Sequence, residues 1–431
     1  MIMRMAAPSE LVQDGRSIFR SFAVQVLACV VLGTLLPPFL YFGGDASAFR
    51  SATLQHSLVG SIIALVAGIF FARRVNIYPG VKQLGAVLPT FIASFGAVAL
   101  TILAFRFDYS NQVLLLNFVA SVAAYIGVIS LATKVGRSTF YAVPGGRIDR
   151  LANVGLVVET LPTPALPSHE GAIIVADLHA DLDDTWERLL ANAALEGVPV
   201  FHFKQVYEAA TGKVWVEHLS ENSFGSLLPN MTFMRLKRLF DMTMVLVLLP
   251  LLVVPLGVIA LLVKLDSPGP ILFRQDRVGF RGRPFTVTKF RTMRVKALSD
   301  CKDERRARAV TNENDPRITR LGAFLRRTRI DELPQMFNIL LGHMSWIGPR
   351  PEALDLSNWY QKEIPFYDYR HIVRPGITGW AQVNQGHVTE LHEIDDKLQF
   401  DFYYIKNFSY WLDFLILMRT AQVVFTGRGA K

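Results

Sequence analysis

Five stretches of this chain contain no Asp, Glu, Lys or Arg: 21–44, 51–72, 83–105, 109–133 and 242–263. Each is long enough for a helix to cross a hydrocarbon core, which takes about 20 residues. Charged residues make up only 19% of the chain, against about 25% in soluble domains. An ordinary soluble protein and a disordered one are therefore excluded. The odd number of stretches poses the main question, namely on which side the residues after 263 lie.

The first stretch is too long for the apolar region of a cleaved signal peptide, and Pro37-Pro38 interrupts its end. Three more stretches follow at short intervals, so 1–137 reads as a four-helix transmembrane bundle made of two hairpins. Arg4, Arg16 and Arg20 precede it, Arg73, Arg74 and Lys82 follow the second helix, and Lys134 and Arg137 follow the fourth. The alternate loops hold only Arg50 and Arg106, near Asp45 and Asp108. Lys and Arg accumulate on the cytoplasmic side, which places both ends of the bundle there. Inside the four stretches the only ionisable side chain of His, Lys, Arg, Asp or Glu type is His56, near one end. Transporters keep charges along their pathways, so an anchor is the simpler reading. Cys29 reads as a small lipid- or helix-facing residue, and with only two cysteines a disulfide scaffold is excluded.

Residues 138–230 have a soluble composition. Gly171-Ala-Ile-Ile-Val-Ala176 reads as a buried strand, Asp183 and Asp184 as caps of a helix over 185–196, and Val198-Pro-Val-Phe-His-Phe203 as a second strand. This is a small, reduced, Rossmann-like α/β module with a parallel sheet. Val143-Pro-Gly-Gly146 is a turn and not a dinucleotide loop. Asp177, His179, Asp181 and Asp183 alternate as metal ligands can, although strand-end and capping chemistry explains them equally. The module reads as non-catalytic, with a regulatory or dimerising role.

The fifth stretch opens the domain 231–431. Arg235, Lys237 and Arg238 precede it; Lys264, Arg274, Arg277, Arg281 and Arg283 follow. Both flanks belong in the cytoplasm by charge, which a straight crossing forbids. Pro250 and Pro255 interrupt the helical hydrogen bonding, so 242–263 is expected to enter, bend and return as a re-entrant helix. Pro255, nearer the middle, is the expected hinge. Such a helix packs under the domain that follows it.

That domain is basic and dense in motifs. Its sharpest element is Asp331-Glu332, within six residues of Arg326, Arg327 and Arg329. Neighbouring helical positions point about 100° apart, so the two acids are free to take different roles. A carboxylate can form an acyl phosphate, and guanidinium groups bind phosphate in a two-pronged fashion. Phe285, Val287 and Phe290 read as core residues of a strand running into Lys289-Phe-Arg-Thr-Met293. Arg305, Arg306 and Arg308 suit attraction to anionic lipid. Nucleic acid is not expected as a partner, because no binding module accompanies the basic charge.

The ordered motifs Lys237-Arg-Leu-Phe-Asp241, Ser267-Pro-Gly-Pro270, Lys289-Phe-Arg-Thr-Met293, Asp331-Glu-Leu-Pro-Gln335, Gly348-Pro-Arg-Pro351 and Arg374-Pro-Gly-Ile-Thr-Gly-Trp-Ala-Gln382 resemble those of the bacterial sugar transferases. These are monotopic polyprenyl-phosphate phosphoglycosyl transferases. The resemblance covers about 231–431, and the preceding bundle and module look like the long-form members that initiate exopolysaccharide, capsule or O-antigen synthesis. It implies an α+β catalytic domain. It also implies that Asp331 attacks the β-phosphate of a UDP-sugar and releases UMP, and that undecaprenyl phosphate then takes the sugar phosphate. Glu332 completes the acidic pair, and Mg²⁺ is the implied cofactor, held by Asp331 and the phosphates. Arg326 and Arg350 match basic family positions and are the phosphate-binding candidates, with Lys289 and Arg291 as weaker ones. A bacterial inner-membrane location, cytoplasmic middle and catalytic domains, and a homodimer are further implications.

Arg329-Ile330 replaces the usual Ser-Leu before the acidic pair, and Asn384-Gln-Gly386 the usual Asn-Gly-Arg. The middle module is shorter than in many long forms. These departures bear on sugar preference and on the role of the module. Two other readings stay open: a glycosyltransferase that releases UDP, and a non-catalytic scaffold. The C-terminal run from Phe400 to Met418 is expected either along the membrane surface or packed on the core.

Overall fold

The computed structural model describes residues 21–45, 48–75, 83–134, 139–154, 156–168, 172–215, 229, 231–294, 315, 317–385 and 391–426. Arg4, Arg16, Arg20, Lys82, Arg137, Arg305, Arg306, Arg308 and Gly386 lie outside them. The chain divides into two compact units, Met1–Gly212 and Lys213–Lys431.

The first unit begins with four apolar helices: α1 Phe22–Tyr41, α2 Ala52–Val75, α3 Gln83–Phe105 and α4 Asn111–Lys134. All four are long and apolar enough to span a membrane. Pro37-Pro38 does not end α1. A π-helical turn, Val31–Leu35, precedes the pair, which then occupies the first turn of the segment Leu36–Tyr41, where a proline needs no N–H partner. Small residues let the helices approach closely. A side chain at Gly33 would meet the Ser121 backbone at 2.8 Å, and Ser121 Oγ donates to the Gly33 carbonyl at 3.3 Å. Cys29 is buried with Leu65, Ile69, Phe91 and Tyr125, so it faces helices and not lipid.

The same unit carries a four-stranded sheet in the order β2-β1-β3-β4, parallel throughout: β1 Thr139–Ala142, β2 Val158–Thr160, β3 Ala172–Ala176 and β4 Val200–His202. The first two strands are only four and three residues long, too short to stand out in the sequence. Helix α5, Asp184–Leu195, starts after Asp183, although that side chain makes no capping bond. β4 is shorter than expected because His202 Nδ1 accepts the Lys204 N–H and turns the chain into α6, Phe203–Thr211.

Asp177 and His179 meet His202 at the strand ends, with His179 Nδ1 2.6 Å from His202 Nε2. His202 Nδ1 is already an acceptor, so in the neutral ring Nε2 carries the proton and donates to His179. Asp177 accepts from the His179 and Arg147 backbone N–H groups. These strand-end and turn contacts leave the ligand atoms of Asp177, His179 and His202 within 4.8 Å of one another.

The second unit opens with α7, Met231–Asp266, a 36-residue helix that runs unbroken through both Pro250 and Pro255. The hinge expected at Pro255 is not a break in the helix. Leu246, Val247, Leu251, Val253, Val254, Val258 and Leu261 on it are exposed. Its first part is tied down by Lys237 on Asp413 and by Arg238 on the Ile339 and Leu340 carbonyls. Its last part is tied down by Val263, which packs on Phe290 and Leu325.

An antiparallel hairpin follows, β5 Leu272–Val278 and β6 Pro284–Phe290, with Phe285, Val287 and Phe290 buried as expected. Next come α8 Arg320–Arg327, a 3₁₀ turn Ile330–Gln335 and α9 Met336–Leu340. β7 Ser345–Ile347 and β8 Gly376–Thr378 pair in parallel around α10 Leu354–Glu363, and α11 Trp380–Asn384 follows. The unit closes with α12 Leu391–Lys406 and α13 Tyr410–Thr426. Phe402, Tyr404, Leu412, Leu415 and Ile416 are buried, so the C-terminal run is packed into the core.

Candidate active site

The acidic pair is delivered by a tightly constrained entry. Thr319 Oγ1 caps α8 through the Gly322 N–H at 2.9 Å, and a side chain at Gly322 would overlap the Thr292 carbonyl at 2.0 Å. The start of α8 is thus pressed onto the chain that leaves β6. Arg326 Nε donates to Thr292 Oγ1 at 2.9 Å from the other end of the same helix. Arg329 then adopts a left-handed backbone, φ +57°, and throws the chain into the 3₁₀ turn that carries Asp331 and Glu332. Both carboxylates are drawn inward, at 8% and 3% exposure.

Their surroundings differ sharply. Glu332 Oε1 is 2.8 Å from Lys289 Nζ on β6, 2.9 Å from Arg350 Nη2 and 3.7 Å from Arg329 Nη1. Burial would push this carboxyl up, but Arg350, Lys289 and Arg329 together hold it well below the ordinary glutamate range. It is an ionised anchor for three cations. Asp331 is the opposite case. Its Oδ1 is buried without a hydrogen-bond partner. Burial first, and then repulsion from Glu332, raise its pKa to about 6 against the pull of Lys289, Arg329 and Arg326. The Gln335 amide nitrogen, four residues on, is likewise buried and unpartnered.

Lys289 is pushed down to about 8 by burial, against the attraction of Glu332 and with Arg350 and Arg277 adding repulsion. Three cations around one anchored carboxylate leave positive charge over, and that excess suits a phosphate group.

The four basic candidates divide. Lys289 and Arg350 bind Glu332 directly, and Arg326 acts on Asp331 through its charge. Arg291 is committed elsewhere. It is buried, and its Nη2 donates to the Val263 carbonyl at 3.2 Å and to Ser267 Oγ at 3.0 Å, with the Ser267 and Pro270 carbonyls also accepting from it. It therefore stops the C-terminal end of α7, where carbonyls lack helical partners. Two residues with site contacts had weaker signals in the sequence. Arg329 appeared there as a neighbouring charge and a departure from a pattern, not as a phosphate-binding candidate, and Arg277 only as a flanking charge.

An unpartnered buried carboxylate oxygen is the kind of ligand that Mg²⁺ accepts, usually with phosphate oxygens completing its shell. Asp331 fits such an ion.

Together these features define a membrane protein whose sheet-containing second unit holds an acidic pair among cations, beside a long apolar helix. The family model described as bacterial sugar transferase matches residues 232–427. The chain is 38% identical over 405 residues to the UDP-N-acetylgalactosamine-undecaprenyl-phosphate N-acetylgalactosaminephosphotransferase of Aeromonas hydrophila, covering 93% of this chain and 94% of that one. It is 43% identical over 197 residues to the UDP-glucose:undecaprenyl-phosphate glucose-1-phosphate transferase of Escherichia coli (strain K12), covering 45% and 41% of the two chains. It is also 44% identical over 204 residues to the exopolysaccharide production protein PSS of Rhizobium leguminosarum bv. phaseoli, covering 45% and 98%. The chain belongs to the bacterial sugar transferase family.

Proposed function

We propose that this protein transfers a sugar 1-phosphate from a UDP-sugar to undecaprenyl phosphate and so starts a polysaccharide. The reading rests on one observation above all: Glu332 Oε1 is held by Lys289 and Arg350 while its neighbour Asp331 keeps a buried, unpartnered oxygen. In the first step that carboxylate attacks the β-phosphorus, the bond to the UMP oxygen breaks, and UMP leaves. In the second, an oxygen of the lipid phosphate attacks the same phosphorus, and the Asp331 carboxylate departs unchanged. Lys289, Arg326, Arg329 and Arg350 offset the charge that gathers on the phosphates. Glu332 keeps three of these cations in place. A bound Mg²⁺, held by Asp331 and the phosphates, would supply further neutralisation. The full-length relative acts, by its name, on UDP-N-acetylgalactosamine, and this makes that nucleotide sugar the first donor to test.

The membrane arrangement follows from the same chemistry, because a lipid phosphate and a cytosolic nucleotide must meet at the interface. Helices α1 to α4 form a transmembrane bundle in the bacterial inner membrane, with the middle module and the catalytic unit in the cytoplasm. Helix α7 enters the bilayer and returns to the same face by a bend at Pro250 and Pro255, where each proline removes a helical hydrogen bond without ending the helix. Its two ends are both bound to the second unit, through Arg238 on the α9 carbonyls and through Val263 on Phe290, and this supports the reading.

Product analysis tests the reaction. UMP release supports it, whereas UDP release would point to a simple glycosyltransferase. Quenching the enzyme with a donor labelled in its β-phosphate should leave the label on Asp331 when the lipid acceptor is withheld.

A further inference from the structure

Arg350 lies in Gly348-Pro-Arg-Pro351, where two prolines lack the N–H groups that would lock the segment into a sheet. Gly348 and Pro349 still pair with β8, through the Gly348 N–H on the Thr378 carbonyl and the Gly376 N–H on the Pro349 carbonyl, and the carbonyls beyond them are held by other groups. Arg370 Nη2 donates to the Arg350 carbonyl at 2.8 Å, Arg277 Nη1 donates to the Pro351 carbonyl, and the Val278 N–H donates to the Glu352 carbonyl at 3.1 Å. Arg370 and Asp401 are 4% and 1% exposed, and Arg370 Nη2 is 2.8 Å from Asp401 Oδ2. Arg370 Nη1 donates to Tyr367 Oη at 2.8 Å and lies 3.8 Å from Glu352 Oε1, which Lys397 also holds.

A fully buried ion pair loses about as much in desolvation as it gains in attraction, so packing stability is a poor reason for it. The contact with the Arg350 backbone is a better one. That backbone decides where the Arg350 guanidinium sits, and the guanidinium is 2.9 Å from Glu332. We propose that Arg370, held by Asp401, is a positioning residue that aims Arg350 at Glu332 and at the phosphates of the donor. The proposal rests on the role given to Arg350 above. Arg370 itself touches no reacting atom. Misplacing a site group by about 1 Å can cost about 100-fold in rate.

The test compares two backgrounds of the full-length chain, assayed in membrane vesicles for UMP release from UDP-N-acetylgalactosamine and from UDP-glucose with undecaprenyl phosphate. Arg370→Gln is combined with Asp401→Asn, so that no carboxylate is left buried without a partner. With Arg350 present, this pair should lower kcat/KM by about 10- to 100-fold. In an Arg350→Ala background it should lower it no further, because the route of its effect is gone. Equal losses in both backgrounds would make the pair merely structural and overturn the proposal, as would no loss in either. Full activity of Arg350→Ala alone would instead remove the reading of Arg350, and the proposal with it. Should the double substitution fail to fold, Arg370→Lys keeps the charge against Asp401 while losing the forked contact, and the same comparison applies.

Discussion

Lys289 Nζ lies 2.8 Å from Glu332 Oε1, although 43 residues separate them in the chain. The contact fixes a cation beside the acidic pair and holds Glu332, while the neighbouring Asp331 keeps a buried, unpartnered oxygen. The proposed nucleophile and its anchored neighbour are told apart by their partners, not by their residue type.

The rate should follow a bell in pH. In the proposed mechanism Asp331 attacks only when ionised, so with its pKa near 6 kcat/KM should fall about tenfold per unit below that value. Lys289 loses its charge above about 8, which sets the alkaline limb. These limbs describe the free enzyme and are read from initial rates of UMP release. A flat profile between pH 5 and 7 would contradict the environment assigned to Asp331.

Asp331→Asn should abolish transfer, with a loss of about 10⁴-fold or more, while the protein still inserts into membranes. Its stability should change with a definite sign. An acid whose pKa is raised from 3.8 to about 6 weakens the fold as pH climbs through that window. The asparagine variant should therefore melt at a higher temperature near pH 8, and the difference should vanish near pH 4. Melting scans in detergent at the two pH values decide this.

Arg291→Met should act on stability and not on substrate. It leaves the carbonyls of Val263, Ser267 and Pro270 without their donor, a loss of about 3 kcal/mol or more for a buried charged network. The folded fraction should keep its KM for the nucleotide sugar. A large rise in KM with unchanged melting would return Arg291 to the phosphate site.

Cysteines at two exposed positions flanking the apolar stretch, Arg235→Cys and Asp266→Cys, should both be shielded from a membrane-impermeant maleimide in intact cells and both react after lysis. Labelling at 266 alone in intact cells would mean that α7 crosses the bilayer.

The motifs made the acidic pair legible, because Asp331-Glu332 stands in one continuous segment beside Arg326 and Arg329. They did not separate Lys289 from Arg291. The two sit two residues apart, yet one holds Glu332 and the other stops the end of α7. The prolines of α1 and α7 both lie inside continuous helix, which their positions in the sequence did not show. A proline disturbs a helix only where its missing N–H or its ring has no local accommodation, and the π-helical turn before Pro37 supplies one.

What the sequence determined by itself was everything that depends on one residue and its near neighbours. The five apolar stretches, the bias of the loops and the position of the acidic pair follow from transfer free energies and local spacing, which each segment carries wherever it folds. Only the tertiary structure decided which cations serve which acid. Arg350 reaches Glu332 from 18 residues away, and Arg370 is paired with Asp401 behind it. Such pairings exist because packing removes water and brings distant segments to within about 3 Å of one another. No local pattern encodes that distance.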